Sequence, residues 1–259
     1  MRFLSPSRQN CSNLAFCESP DGPILGGTLD AAHVYCVQLT RRTGAYAHVA
    51  IVWPGWLSAY GGVNEHGLAV SGSSARLLKS QPPEPRQAPL FSSIYTARLT
   101  LETCRNVKEA IELLKREGIP GHGNHILIDA DGNGAVVESH KPTGPATAVR
   151  SWELGGYIWC GNFFLSEFTV EEAALHPKLV ERADRAKTIL AFARRGVDKG
   201  SSIRLLQDLL TSHDAPEPTL SAICNPHTCC AMIAVPRERK ILVSERYPCA
   251  NEFVEYRLE

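Results

Sequence analysis

One cysteine stands where it could act as a nucleophile. Cys11 follows a short polar segment and begins a strand-like run, CSNLAFC. If the peptide bond before it is cut, Cys11 carries a free α-amine with an ordinary pKa near ~8, so part of the amine is neutral at pH 7. The amine can accept the thiol proton, and the thiolate can attack an amide carbonyl to form a thioester. The alternative is a buried structural thiol, the usual state of a free cysteine.

The sequence around and beyond Cys11 contains five segments that fall in a recognisable order. Residues 11–30 (CSNLAFCESPDGPILGGTLD) end in the element GGTLD, and the segments that follow are 61–71 (GGVNEHGLAVS), 123–138 (GNHILIDADGNGAVVE), 160–168 (CGNFFLSEF), and 222–236 with 248–258. Together they resemble the isopenicillin N acyltransferase-like (peptidase C45-type) family of N-terminal nucleophile (Ntn) hydrolases. The resemblance extends, more distantly, to the conjugated bile acid hydrolases and penicillin V acylases.

The resemblance implies a fold and a processing step. The fold would be α+β, a four-layer αββα sandwich of two antiparallel sheets flanked by helices, with Cys11 at a strand end between the sheets. Residues 1–10 would be a short leader, and residues 11–259 a single catalytic domain. The Cys11 thiol would attack the carbonyl of Asn10, so that autocatalytic cleavage of a zymogen creates the catalytic amine.

The resemblance also assigns two partners to Cys11. Asp30, nineteen residues further on, matches the family's acidic residue at the end of the second strand. It would accept a hydrogen bond from the α-amine and orient it. Asn162 matches the asparagine of a T-N-H-F element, and its amide would donate to the developing oxyanion. The alternatives are an Asp in an ordinary turn and an Asn that ends a strand.

Several positions depart from the family pattern. Relatives often carry Arg or Gln where this chain has Gly27, and Asn where it has Thr28, which indicates a roomier pocket or a cation supplied from elsewhere. Arg182 or Arg185 could supply that charge and bind a substrate carboxylate. Ser73 or Ser74 could replace an asparagine that some relatives place near the oxyanion.

The leader is a further departure. Many acyltransferases of the family have a long prosegment, whereas ten residues precede Cys11 here and they end in Asn10 rather than Gly. Either the chain is a short-leader member, like the bile acid hydrolases, or the sequence is truncated.

The elements that must position these residues follow from periodicity. Short β-branched runs punctuated by Gly, Pro and Asn predict antiparallel strands between residues 11 and 74, with a hairpin turn at NEHG (64–67), and again from 125 to 160 and from 230 to 258. Apolar residues at helical spacing predict helices over 90–99, 106–117, 177–194 and 202–210. The proline-rich stretch 77–89 predicts a surface loop. On pattern alone, an α+β domain with one sheet fits equally well.

Composition limits the possible partners. Lys plus Arg equals Asp plus Glu at 27 each, which gives no basic field for nucleic acid or an anionic membrane. No stretch approaches the ~20 apolar residues of a membrane helix, and the first ten residues do not resemble a secretory signal. Nine scattered cysteines indicate reduced thiols in a cytoplasmic protein. The expected partner is a small-molecule amide or acyl donor, with a homo-oligomer possible and no cofactor implied.

A cluster of thiols near the C-terminus raises the question of zinc. Cys224, His227, Cys229 and Cys230 lie close in sequence, but structural zinc sites usually pair two separated ligand couples, and adjacent strand residues point to opposite faces. We therefore expect no metal. His122 and His125 are expected to be loop or strand residues rather than a general base.

These observations predict a self-processing cysteine enzyme that hydrolyses or transfers the acyl group of a non-peptide C–N amide bond through a thioester on Cys11. Hydrolase and acyltransferase differ in whether water or an amine takes the acyl group. The alternatives are a catalytically silent relative that binds acylated small molecules or acts as an assembly subunit, and a zinc-bound scaffold protein.

Overall fold

Strands dominate the part of the chain that the computed structural model describes, residues 11–31, 35–55, 58–75, 93–117, 123–139, 148–152, 156–215 and 220–259. In chain order they are β1 (Ser12–Phe16), β2 (Ile24–Asp30), β3 (Cys36–Arg42), β4 (Ala45–Val52), β5 (Gly61–Asn64), β6 (Ala69–Ser74), β7 (Gly123–Ile128), β8 (Gly134–Ser139), β9 (Ala148–Ser151), β10 (Tyr157–Cys160), β11 (Thr228–Val235), β12 (Lys240–Glu245) and β13 (Phe253–Arg257). The helices are α1 (Ser93–Thr103), α2 (Val107–Glu117), α3 (Val170–Leu175), α4 (Val180–Lys199) and α5 (Ile203–Leu210).

The strands form two antiparallel sheets. One has the order β10-β1-β2-β11-β12-β13, and the other runs from β3 to β9 in sequence order. An apolar cluster lies between the sheets, a second packs α4 and α5 on the first sheet, and a third packs α1 and α2 on the other. This arrangement is the four-layer αββα sandwich, and the single-sheet alternative is wrong.

Strand periodicity explains why both faces of the first sheet are buried. Along β1, Leu14 and Phe16 point toward the helices, whereas Ala15 points toward the other sheet. Every residue of β1, β2 and β11 is buried, as expected for strands covered on both sides. The two faces of β1 therefore contact two separate layers: one face contacts the gap between the sheets, and the other contacts the helices.

Most predicted elements are present with shifted bounds. The predicted hairpin turn is present, with Gly67 at a φ of 77°, a left-handed conformation that glycine adopts without strain. Asn106 and Ser202 accept hydrogen bonds from Glu109 and Leu205 at the starts of α2 and α5, so both are N-caps.

Two helices differ from the prediction, and two predicted segments are not described. Helix α4 begins at Val180 rather than at residue 177. The short α3, closed by a capping box at Thr169, was not predicted. The predicted loop 77–89 and the leader 1–10 lie outside the described residues. In the described part of the chain, no helix has the length and hydropathy that crossing a membrane requires.

Candidate active site

Cys11 lies immediately before β1 at the end of the gap between the two sheets, with 4% of its surface exposed. It lines a cavity of about 60 Å³. The described lining is apolar on one part and polar on the other: Leu29, Trp53, Ala59, Tyr60 and Ala97, with Ser71, Gly72, Ser73, Ser74, Asn124 and His125. One water needs about 10–15 Å³ of such space, so the cavity fits a reacting group and its nearest atoms.

The surroundings of Cys11 disfavour a free thiolate. Burial raises the pKa of the Cys11 thiol to about 12, and the charge of Asp30 adds to the rise. A backbone hydrogen bond from Asp30 and the charge of Arg185 act in the opposite direction. At pH 7 a thiol with this pKa is ionised in about one molecule in 10⁵. Nucleophilic attack therefore requires a base or a cation next to the sulfur.

Asp30 ends β2 and its carboxylate is surrounded by donors. The Arg185 guanidinium lies 2.9 Å from Oδ2, the amide of Asn225 donates to the same oxygen at 2.6 Å, and the Thr228 hydroxyl donates to Oδ1 at 2.9 Å. Burial raises the pKa of Asp30, whereas Arg185 and the two neutral donors lower it. Because all three partners are donors, the arrangement satisfies the ionised form of Asp30.

Arg185 fixes this carboxylate from the helix layer. It projects from α4, is 2% exposed, and donates to the Ser12 hydroxyl at 3.0 Å and to the backbone carbonyl of Ala222 at 2.8 Å. It also lies 3.4 Å from the Thr28 hydroxyl, which accepts the Ser12 backbone N–H. Thr28 therefore belongs to the layer below the cavity.

The two arginines considered as possible substrate ligands both contact protein groups. Arg182 donates to the backbone carbonyl of Asn162 at 2.9 Å, and neither Arg182 nor Arg185 belongs to the described lining of the cavity. The predicted contact with a substrate carboxylate gains no support from this placement. The geometry instead makes Arg185 a positioning residue for Asp30.

The space beside Gly27 is occupied. A Cβ at Gly27 would lie 2.3 Å from Oδ1 of Asn13 and 3.2 Å from the Ser71 hydroxyl. The Ser71 hydroxyl donates to that Asn13 oxygen at 2.7 Å, and the Asn13 amide donates to the Gly72 carbonyl at 3.2 Å. The missing side chain therefore makes room for a bond between the sheets rather than for a larger pocket.

Asn162 lies close to the wall of the cavity. Asn13 of β1 pairs with Cys160 of β10 in an antiparallel register, so the residues after β10 lie near those before β1. The Asn162 amide donates to the Ser74 carbonyl at 2.6 Å, and the Ser73 hydroxyl donates to the Gly161 carbonyl. The structure thus places Cys11, Ser73 and Ser74 on one cavity, with Asn162 attached to it through Ser74. Asn10 lies outside the described residues.

Several site residues were not predicted. Tyr60 lines the cavity, its hydroxyl donates to the Thr28 carbonyl at 2.5 Å, and burial raises its pKa well above the usual value, so it stays neutral. Asn225 and Thr228 hold Asp30. Asn124 donates to the carbonyls of Gly161 and Phe163 at 2.8 and 3.2 Å.

The side-chain oxygen of Asn124 is distinctive because it is buried without a hydrogen-bond partner among the described residues. Asn124 also lines the cavity at Cys11. Asn124, Asn225 and Thr228 fall inside segments already singled out by motif, which is the signal that could have identified them.

The positions of the Cys229 and Cys230 thiols, which were considered as zinc ligands, differ from those that a regular strand predicts. A register shift in β11 between Thr228 and Cys230 lets Cys229 and Cys230 pack in the same cluster between the sheets. The expectation that they point to opposite faces is wrong, because it assumed a regular strand. Cys224, His227, Cys229 and Cys230 do not converge as one ligand group in the described structure.

Comparisons with known proteins identify the family of the chain. The family model described as acyl-coenzyme A:6-aminopenicillanic acid acyl-transferase matches residues 28–240. Cys11 lies before the matched range. No curated protein sequence matches the chain.

Solved structures share the fold at low sequence identity. A Caenorhabditis elegans N-acylethanolamine-hydrolyzing acid amidase (NAAA) ortholog is 15% identical with a TM-score of 0.61, over 88% of this chain and 93% of its own. A mutant of the conjugated bile acid hydrolase from Clostridium perfringens is 13% identical with a TM-score of 0.62, over 96% and 97%. Penicillin V acylase from Agrobacterium tumefaciens is 14% identical with a TM-score of 0.54, over 91% and 83%. These matches confirm the predicted four-layer αββα fold.

Proposed function

Because this chain belongs to the acyl-coenzyme A:6-aminopenicillanic acid acyl-transferase family, as its motifs predicted, we propose that it is a cysteine Ntn enzyme that cleaves an acyl C–N bond through a thioester on Cys11. The family and the αββα fold support acyl transfer or amide hydrolysis, without distinguishing between the two. The observation that carries the assignment to Cys11 is its position on the cavity, where the charge and the backbone N–H of Asp30 both act on its thiol.

The first step would create the catalytic amine. The thiol of Cys11 attacks the carbonyl carbon of Asn10, the C–N bond between these residues breaks, and the new amine takes the proton from sulfur. Water then hydrolyses the thioester and releases residues 1–10 as a carboxylic acid. Processing would also place a titratable cation beside a thiol whose pKa is otherwise about 12, and a positive charge favours the thiolate.

Catalysis would use the same groups on an external amide. The amine accepts the thiol proton as sulfur attacks the acyl carbon, and the leaving amine takes that proton as its C–N bond breaks. Asp30 holds the amine, and Asn162 donates to the oxyanion, a contribution worth about 3 kcal/mol in comparable sites. For Asn162 to do so, its amide must share or leave its bond to the Ser74 carbonyl.

Asn124 is proposed as the residue that accepts the substrate N–H. Its amide nitrogen is held by two backbone carbonyls, and Asn124 lines the cavity, while its Oδ1 is a buried acceptor without a partner among the described residues. A substrate N–H would reach this oxygen through a small movement of the side chains around it. An amide N–H or a departing amine would satisfy that oxygen. This contact selects a nitrogen-linked acyl group over an ester of the same shape, because an ester has no hydrogen to donate.

The substrate class is inferred from these contacts and from the structural neighbours, which are an amidase, a hydrolase of conjugated bile acids and an acylase. We propose a small N-acyl compound, with water or an amine as the acyl acceptor. The silent-relative alternative predicts binding of such a compound without turnover.

The test is a panel of N-acyl amines and the matching esters, with amine release measured for wild type and Cys11→Ala. The proposal expects release by wild type alone, and an acyl adduct on Cys11 when the reaction is quenched with acid. Asn124→Leu is expected to reduce the preference for amides over esters. Binding of the amides by wild type with neither release nor adduct would refute the enzyme assignment and favour the silent relative.

A further inference from the structure

Three side chains with metal-binding atoms meet away from the cavity. His213 follows α5, Cys224 lies in the loop before β11, and Cys249 lies between β12 and β13. One ligand atom from each lies within 4.8 Å of the others. The Cys224 backbone N–H donates to the Ser212 carbonyl at 3.0 Å, which holds two of these segments together.

The donor set has the chemistry of a zinc site. Two thiolates and an imidazole are ligands that Zn²⁺ prefers, and Zn–S bonds of about 2.3 Å in a tetrahedron place two sulfurs about 3.8 Å apart. The observed group needs little movement to reach that geometry. Cys224 is buried, whereas His213 and Cys249 are exposed, so the group is open to solvent on one side.

The two thiols lie close enough to share one ion, because their sulfur atoms are among the ligand atoms that lie within 4.8 Å of one another. A divalent cation would displace their protons and stabilise both thiolates.

We propose that His213, Cys224 and Cys249 bind one Zn²⁺ ion through three protein ligands, with a fourth position open to water. The site goes beyond the proposed acyl chemistry and does not depend on Cys11. We expected no metal from the sequence because only residues that are close in sequence were compared. His213 and Cys249 are far apart in the chain and meet in the fold.

The site has a structural consequence for Asp30. Asn225 follows Cys224 and donates to Asp30 at 2.6 Å, and the carbonyls of Ala222 and Ile223 accept from Arg185. A metal on Cys224 would therefore hold the loop that supports the Asp30–Arg185 pair.

The experiment uses the full-length protein purified without chelator. Metal content is measured by plasma mass spectrometry, and Co²⁺ loading by absorption, for wild type, Cys249→Ser, His213→Ala and the matched control Cys36→Ser, another exposed free cysteine. We expect about one Zn²⁺ per chain and a thiolate-to-cobalt charge-transfer band for wild type and the control. Both should be largely lost in the two ligand variants, whose folding is checked by circular dichroism.

Three results would overturn the proposal: neither zinc nor a cobalt band in wild type, metal retained in both ligand variants, or a Cys224–Cys249 disulfide found by peptide mass in protein prepared without oxidant. Cys11→Ala should bind metal like wild type. Loss of acyl chemistry with intact metal binding, or the reverse, therefore shows which of the two proposals has failed.

Discussion

Replacing Arg185 by Leu tests how the Asp30 carboxylate is held. The pair is fully buried, with side-chain exposures of 3% for Arg185 and 0% for Asp30 and a separation of 2.9 Å. Removing one partner of a buried ion pair leaves an uncompensated charge and typically costs about 3–5 kcal/mol of unfolding free energy. The Ser12 hydroxyl and the Ala222 carbonyl also lose a donor, which places the expected cost in the upper part of that range.

The pH dependence gives the prediction a sign. Without Arg185, burial raises the pKa of Asp30 further above its unfolded value, so the folded variant binds a proton more readily than the unfolded chain. The cost of the substitution is complete above the raised pKa and shrinks as pH falls through it. Urea unfolding at pH 8 and pH 5 should therefore show a smaller difference from wild type at pH 5.

Arg204→Leu is the matched control, because Arg204 pairs with Asp208 on α5 with 82% of its side chain exposed. Solvent screens that pair, and its urea midpoint should stay near that of wild type. Asp30→Asn combined with Arg185→Leu should recover part of the loss. An Arg185→Leu midpoint equal to that of the control would refute the account of the Asp30 network.

Three further predictions concern the cavity. Gly27→Ala forces a Cβ to 2.3 Å from the Asn13 oxygen and should cost about 1–3 kcal/mol of unfolding free energy, measured in urea. Gly161→Ala should cost less, because its Cβ would meet nothing nearer than 4.0 Å. Equal costs for the two variants would contradict the contact with Asn13. In a chain that keeps Asn10, the rate at which iodoacetamide labels Cys11 should increase about tenfold per pH unit between pH 7 and 10, as followed by mass spectrometry. The reason is that a thiol with a pKa of about 12 stays mostly protonated over this range. A labelling rate independent of pH would contradict this. Asn162→Ala should lower kcat by about 10²–10³-fold with KM little changed, measured on the amide found by the panel; an unchanged kcat would remove Asn162 from the oxyanion role.

The fold was predictable because its information is local or recurs in motifs. Period-two runs and turn residues such as Gly67 specify antiparallel strands, and the order of five family segments specifies how the sheets stack. Helix α3 was missed because six residues are too few for a periodic pattern.

The site was predictable in part. Asp30 and Asn162 are predicted from the family pattern, and their catalytic roles stay predictions. Arg185 was considered only as a possible substrate ligand, because its position on a helix gives no sign that Asp30 lies beneath it. Asn225 meets Asp30 across most of the chain, and no spacing rule connects residues that far apart.

The same limit applies to Gly27 and Cys229. The absence of a side chain at Gly27 indicated extra room, whereas the structure fills the space with Asn13 from the neighbouring strand. The two adjacent thiols of β11 were assigned to opposite faces, and a register shift brings them together. The first depends on which residue is paired with Gly27 across the sheet, and the second on a local deviation from regular geometry. Residue types alone encode neither.

The central claim is that Cys11 becomes a catalytic N-terminus, and the intact mass of the purified full-length protein tests it most directly. Wild type and Cys11→Ala are expressed and incubated in parallel at neutral pH. The account predicts that wild type loses residues 1–10 and begins at Cys11, while Cys11→Ala keeps them. Retention of these residues by both proteins, or their loss from both, would contradict self-processing by the Cys11 thiol.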